Sequence, residues 1–264
     1  MINVGFLGCG NMGGAIIKSS FGKIPGAQFL AFDMDEEKLK PFEEMGVINA
    51  GSESKLTAAS KYLFLALKPQ QFGGALRIIA PAVNEDTVLI SIAAGISGDF
   101  IRERIDKPVK IIRAMPNTPA LVGLGAVALA KLDGVTDEEF AFVKSIFDCC
   151  GITEEIPESQ MNEIICINAS SPAFIYLFAK GFIDYADEVG ISHAAAQNLF
   201  SQALVGSAKM ITQSGVSIDE LIKMVTSPGG TTLAGLTELN DNAFLDIIKK
   251  CCEKCTARAY ELGK

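Results

Sequence analysis

Val4-Gly5-Phe6-Leu7-Gly8-Cys9-Gly10-Asn11-Met12-Gly13-Gly14 sets a short apolar run directly before a glycine-rich turn and the start of a helical pattern. Each glycine has a task in such a passage. Gly8 permits the tight turn, Gly10 lets the backbone approach a pyrophosphate, and Gly13 lets helix and strand pack closely. A helix opening near Met12 offers unpaired N–H groups and the positive end of its dipole to phosphates. Asp33 falls 20 residues beyond Gly13, at the end of the second strand-like run, where the dinucleotide fingerprint places an acid for a ribose hydroxyl. Gly8, Cys9, Gly10, Asn11, Met12 and Asp33 are therefore expected to touch a dinucleotide.

Working outward, strand-like runs are expected over 3–8, 28–33, 62–67, 87–92, 110–114 and 125–130, with helical patterns such as 35–45 and 71–80 between them. The runs are short, apolar on both faces and bounded by turn residues, the mark of strands covered by helices on two sides. The alternation predicts an open, parallel, doubly wound Rossmann-type sheet. In such a sheet ligands bind beyond the carboxyl ends of strands. This directs attention to Ala66, Leu67, Lys68 and Pro69, to Ala93 and Ala94, and to Asn117 in a loop stiffened by two prolines. Lys68 reads equally as an ordinary surface lysine. Near Pro157 the character changes: 171–189, 192–214 and 243–262 are long, helically periodic and rich in Ala, Leu, Ile and Phe. The expected division is a dinucleotide-binding domain over 1–156 and an all-α domain over 157–264. The apolar content of the second part exceeds what one helical layer buries alone, which predicts a subunit interface.

Composition narrows the function classes. The chain has 264 residues, 49% apolar and 20% charged, with a net charge of −8. That supports a full core and opposes binding to a phosphate backbone, so no nucleic-acid partner is expected. No apolar run has the length of a membrane span and no basic leader precedes the first strand; with seven cysteines lacking a disulfide-framework spacing, this predicts a cytoplasmic protein with reduced thiols. Cys251, Cys252 and Cys255 lie on one predicted helix, far in sequence from the lone His193, and read as small packing residues; no metal is expected.

A carboxylate at Asp33 accepts hydrogen bonds from a ribose 2′-hydroxyl and repels a 2′-phosphate. With Asp35, Glu36 and Glu37 nearby, and only Lys38 and Lys40 as close cations, the region leans to NADH over NADPH. A second loop, Val225-Thr226-Ser227-Pro228-Gly229-Gly230-Thr231-Thr232, joins two predicted helices of the all-α part. Its backbone N–H groups can converge on an anion such as a substrate carboxylate, or its threonines can be plain helix caps.

Taken with Leu67-Lys68-Pro69 and Asn117-Thr118-Pro119, the two loops closely resemble pyrroline-5-carboxylate reductase, over essentially the whole chain. The Ser-Pro-Gly-Gly-Thr-Thr loop is the most specific element, since the dinucleotide loop is shared by many dehydrogenases. The resemblance implies reduction of 1-pyrroline-5-carboxylate to L-proline, the last step of proline biosynthesis, by hydride from NADPH or NADH. It also implies a helical domain that interlocks two subunits, often in a larger ring of dimers, and an active site shared between one subunit's cofactor and its partner's helices. Carried over by motif, Ser227, Gly230, Thr231 and Thr232 would hold the substrate, with the Thr232 hydroxyl near the imine as the catalytic group. Glu158 matches a family acid near the substrate, or is a helix-start acid. This chain departs from relatives that use the phosphorylated cofactor: Asp33 replaces a small polar residue and Glu53 an Asn, both strengthening the lean to NADH. The family's Ser-Gly-Ser-Gly-Pro-Ala-Tyr becomes Asn168-Ala169-Ser170-Ser171-Pro172-Ala173-Phe174. Two other functions share parts of this pattern. A 2-hydroxyacid or deazaflavin-linked dehydrogenase would keep the architecture, but neither Lys180 nor Lys209 sits in a recognisable catalytic motif. A non-catalytic nucleotide sensor has no need of the Ser-Pro-Gly-Gly-Thr-Thr loop.

Overall fold

A computed structural model describes residues 1–263. In chain order the first part runs β1 (Ile2–Leu7), α1 (Asn11–Ser20), β2 (Ala27–Phe32), α2 (Lys40–Glu44), β3 (Ile48–Asn49), α3 (Glu53–Ala59) and β4 (Tyr62–Leu65). It continues with α4 (Pro69–Ile79), β5 (Val88–Ser91), α5 (Gly98–Ile105), β6 (Lys110–Met115), β7 (Gly125–Lys131), α6 (Asp137–Asp148) and β8 (Gly151–Glu155). Five helices follow: α7 (Ser171–Glu188), α8 (His193–Gln213), α9 (Ile218–Met224), α10 (Thr231–Asp241) and α11 (Phe244–Leu262).

All eight strands form one sheet in the order β3-β2-β1-β4-β5-β6-β7-β8. The order reverses between β1 and β4, which pair in parallel with Val4 opposite Tyr62 and Leu7 opposite Leu65. The sheet differs from the expected one in three places. It is mixed rather than wholly parallel, because β7 runs antiparallel to β6. The segment joining them, 116–124, is too short for the crossover that a parallel strand needs. Two strands carry no apolar signature, β3 with two exposed residues and β8 with the sequence GITEE. They are the sheet's edges, where shortness or charge discourages pairing with another chain. The helix expected over 35–45 divides into a 3₁₀ turn, Glu36–Lys38, and the short α2 with Pro41 at its start.

Because both faces of the sheet are covered, strand residues alternate between two apolar cores rather than between core and water. Val4, Phe6, Phe64 and Ile90 face one core with Ile16, Ile17, Val143 and Phe147. Leu63, Leu65, Leu89 and Ile111 face the other with Leu76, Ile79 and Ile101. Phe6 and Phe64 stack across β1 and β4, with ring centroids 4.6 Å apart.

The chain divides into two compact units, Met1–Pro172 with Cys252–Lys264, and Ala173–Cys251. In the second, Ala186 alone is buried among the described residues. Phe178, Phe182, Phe200 and Phe244 form its aromatic cluster, with Phe182 and Phe200 stacked at 4.5 Å. Tyr176, Leu177, Phe178, Phe182 and Tyr185 remain exposed along α7. No described helix is long and apolar enough to cross a membrane.

Phe64→Ala removes a side chain with no exposed surface from the strand beside the reversal. Chemical denaturation is expected to show a loss of about 3–5 kcal/mol; a loss below about 1 kcal/mol would show that the site collapses around the missing ring.

Candidate active site

At the reversal of strand order the loops after β1 and β4 diverge and leave a cavity of about 430 Å³. Gly8, Gly10, Asp33, Glu53, Ala66, Leu67 and Lys68 line it, together with Lys38, Gln71 and Gly74. The glycine turn is crowded on one side and open on the other. Gly8 has φ +100°, and a Cβ there would lie 2.4 Å from the Ala66 carbonyl oxygen. A Cβ at Gly13 would lie 2.3 Å from the Gly8 carbonyl oxygen. At Gly10, by contrast, a Cβ would meet no described heavy atom within 4 Å. Gly10 is also the N-cap of α1, and no described side chain caps that helix end. Its terminal N–H groups therefore stand ready for an anion.

Asp33 bonds inward. Its Oδ2 accepts the backbone N–H of Cys9 at 2.7 Å, and its Oδ1 accepts that of Asp35 at 3.0 Å. The end of β2 thus fixes the turn after β1. Burial, and then the charge of Asp33, push the Cys9 thiol up to about 12, which keeps it protonated. Lys38 pairs with Asp35 at 3.3 Å, both side chains half exposed. The Lys68 backbone N–H donates to Gln71 Oε1 at 3.1 Å, closing the first turn of α4 immediately beyond β4.

Other expected contacts lie elsewhere. Cys9 and Asn11 line a neighbouring recess of about 270 Å³ with Lys18 and Lys38. Met12 packs against the core, and Pro69 is the first residue of α4. Ala93 is buried, and neither it nor Ala94 lines the cavity. Asn117 is buried and its amide is engaged within the protein: Oδ1 accepts the Ala126 N–H at 2.9 Å, and Nδ2 donates to the Asn168 carbonyl at 3.3 Å. Asn168 Nδ2 in turn donates to the Met115 carbonyl at 2.5 Å. These bonds hold the loop after β6 in place. Glu158 Oε1 accepts the Gly98 N–H at 2.7 Å, capping α5, and pairs with Arg113 Nη1 at 3.3 Å. Burial lowers the ordinarily very high pKa of Arg113, while Glu158 holds it up. Sequence reasoning missed the cavity's apolar wall of Leu7, Phe32, Ala75 and Ile78, which in the sequence are apolar residues of two strands and a helix with nothing to mark them.

The second glycine loop lies in the second unit, between α9 and α10. Gly229 has φ +70°, and the Gly230 N–H donates to the Ser227 carbonyl at 3.0 Å. Gly230 is the N-cap of α10, with Thr231 and Thr232 as the helix's first residues and no described side chain capping it. A Cβ at Gly230 would sit 2.4 Å from Ser227 Oγ, so the serine hydroxyl lies close beside this helix end. Ser227, Thr231 and Thr232 are exposed.

Gly8→Ala forces a positive-φ turn onto a residue with a Cβ and drives it against Ala66. Fluorescence titration with a reduced nicotinamide dinucleotide should show affinity falling on the order of tenfold or more. Unchanged affinity would mean that the dinucleotide binds away from this turn.

Comparison with known proteins bears on both loops. Residues 158–262 match the family model for pyrroline-5-carboxylate reductase dimerisation, and residues 3–95 match that of NADP oxidoreductases dependent on coenzyme F420. The pyrroline-5-carboxylate reductase of Escherichia coli strain K12 is 34% identical over 264 residues, covering 99% of this chain and 98% of the relative. That of Methanosarcina acetivorans is 30% identical with the same coverage. Among solved structures, the pyrroline carboxylate reductase of Plasmodium falciparum with NADP bound superposes with a TM-score of 0.90 at 28% identity, covering all of both chains. With its sheet, both glycine loops and full-length similarity in agreement, the chain belongs to the pyrroline-5-carboxylate reductase family.

Proposed function

We propose that this protein reduces 1-pyrroline-5-carboxylate to L-proline, taking hydride from NAD(P)H. The observation that carries the reading is the Ser227–Thr232 loop, an uncapped helix end with Ser227 close beside Gly230 and two threonines at its mouth. Family membership supports it.

The residues present fit a dinucleotide. The turn at Gly10 has room beside an uncapped helix end, and Asp33 and Glu53 lie on the wall of the same cavity. Gly8, Gly10 and the N-terminus of α1 would hold the pyrophosphate, and Asp33 and Glu53 the adenosine ribose. The bound nicotinamide supplies the hydride. Asp33 and Glu53 oppose a 2′-phosphate, and Lys38 is already paired with Asp35, so the preference leans to NADH.

In the substrate loop, the terminal N–H groups of α10 and the Ser227 and Thr231 hydroxyls hold the carboxylate. The Thr232 hydroxyl accepts the ring N–H and orients the ring. A cyclic imine that arrives protonated becomes a neutral amine when hydride adds to its carbon, so the protein need not deliver a proton in that step. Positioning then carries the rate. His193, exposed and 3.0 Å from Asp187, is not needed.

We assign dinucleotide binding to 1–156 and substrate binding and dimerisation to 157–264. The chain is a homo-oligomer through its helical part, and we take the homodimer as the catalytic unit. A ring of dimers accords with the family resemblance, and a cytoplasmic location with seven cysteines that lack a disulfide-framework spacing.

Loss of reduced-nicotinamide absorbance with purified protein and 1-pyrroline-5-carboxylate is expected with both cofactors, faster with NADH. No oxidation of either cofactor, in protein that binds them, would overturn the reading. Thr232→Ala should lower kcat on the order of a hundredfold while leaving cofactor affinity nearly unchanged; unchanged kcat would remove Thr232 from the reaction. Asp33→Asn keeps an oxygen for the Cys9 N–H and removes the charge. The ratio of kcat/KM for NADH to that for NADPH should fall about tenfold or more. A ratio that does not move would show that the carboxylate does not select the cofactor.

A further inference from the structure

Three thiols converge at the point where the chain leaves and re-enters its first unit. Cys166 begins the π-turn Cys166–Ser170 and is 2% exposed. Cys252 and Cys255, one turn apart, share a face of α11. The Sγ atoms of Cys166 and Cys252 are 2.7 Å apart, across 86 residues of sequence, and the Cys255 thiol is near enough to help raise the Cys166 pKa. Both Cys166 and Cys252 belong to the first unit, and Ala173–Cys251 is the stretch that departs from it and returns. Among the described residues, no group of three His, Cys, Asp or Glu side chains is placed to hold a metal ion.

We propose that Cys166 and Cys252 are a reactive dithiol that low-molecular-weight disulfides convert to an intramolecular disulfide, locking the two chain crossings of the first unit together. Cys252 is partly exposed whereas Cys166 is buried, so Cys252 is the point of entry. Its thiolate attacks one sulfur of the small disulfide, forming a mixed disulfide and releasing one thiol. The Cys166 sulfur then attacks the Cys252 sulfur, forming the internal bond, breaking the mixed bond and releasing the second thiol. Two cysteines lose two electrons, the small disulfide gains them, and the two cysteine protons leave on the released thiols. Burial and the neighbouring thiols raise the pKa of Cys166, consistent with its acting second. In a reducing compartment the pair stays open; oxidising conditions close it reversibly.

The test uses the whole protein, incubated with reduced or with oxidised glutathione, alkylated under unfolding conditions and mapped by mass spectrometry with fragmentation. The expected result with oxidised glutathione is loss of two alkylatable thiols, a Cys166–Cys252 crosslink without retained glutathione, and full reversal by dithiothreitol. Cys252→Ser should abolish the crosslink and Cys251→Ser should retain it. Closing a loop this long should also raise the melting temperature by about 5 °C in the oxidised protein, and not in Cys252→Ser. Complete alkylation of Cys166, with glutathione left on Cys252, would overturn the proposal. So would an equal yield of crosslink in Cys252→Ser, or a crosslink joining two chains, seen as doubled mass on a non-reducing gel.

Discussion

A methyl group added at Gly8 would press on Ala66, and one added at Gly13 would press on Gly8 itself. This crowding is the constraint on which the nucleotide-binding face depends. It forces glycine at both positions, brings α1 against the carboxyl ends of β1 and β4, and leaves Gly10 as the part of the turn facing open space. Asp33 completes the arrangement from the end of the neighbouring strand by accepting the Cys9 N–H. The acid at the end of β2 is thus a strut for the turn as well as part of the cavity wall, and its charge and its geometry do separate work.

The helical unit obeys a different rule. A unit of compact size normally hides its aromatic residues, yet here Phe178 and Phe182 contact other rings and still expose much of their surface. Burying one such side chain is worth about 1.5–3 kcal/mol, so several together make association between chains a condition of this unit's stability. Membership in a family with a named dimerisation domain accords with this need.

What the sequence made legible follows from what its signals report. Doubly covered strands leave a run of apolar residues, and β1, β2, β4, β5, β6 and β7 are all visible that way. The edge strands β3 and β8 bury little, so Ile48-Asn49 and Gly151-Ile152-Thr153-Glu154-Glu155 carry no such run and pass for loops. The direction of β7 was hidden because residue type says nothing of orientation; only the length of 116–124 bears on it. The glycine turn and Asp33 stand out in the sequence because a crowded turn and an acid beside it need particular residue types at a particular spacing, whereas Lys68 stands out only by its place just beyond a strand. Asn117 stood out as a polar residue in a loop beyond a strand, and Glu158 only through the family resemblance or as a helix-start acid. That their side chains bond to Ala126, Asn168, Gly98 and Arg113 depends on partners up to 60 residues away, which no local pattern records.

The first unit is not contiguous: Cys252–Lys264 returns to it after the helical excursion. The last turns of α11 lie against the loop after β5, where a Cβ on Gly95 would fall 2.4 Å from the Ala259 carbonyl oxygen. During synthesis on a ribosome, the sheet can assemble long before that closing segment exists. The nucleotide-binding unit therefore cannot be finished until residues 252–263 have emerged from the exit tunnel, and a chain that stops before them would be damaged in its first-made part.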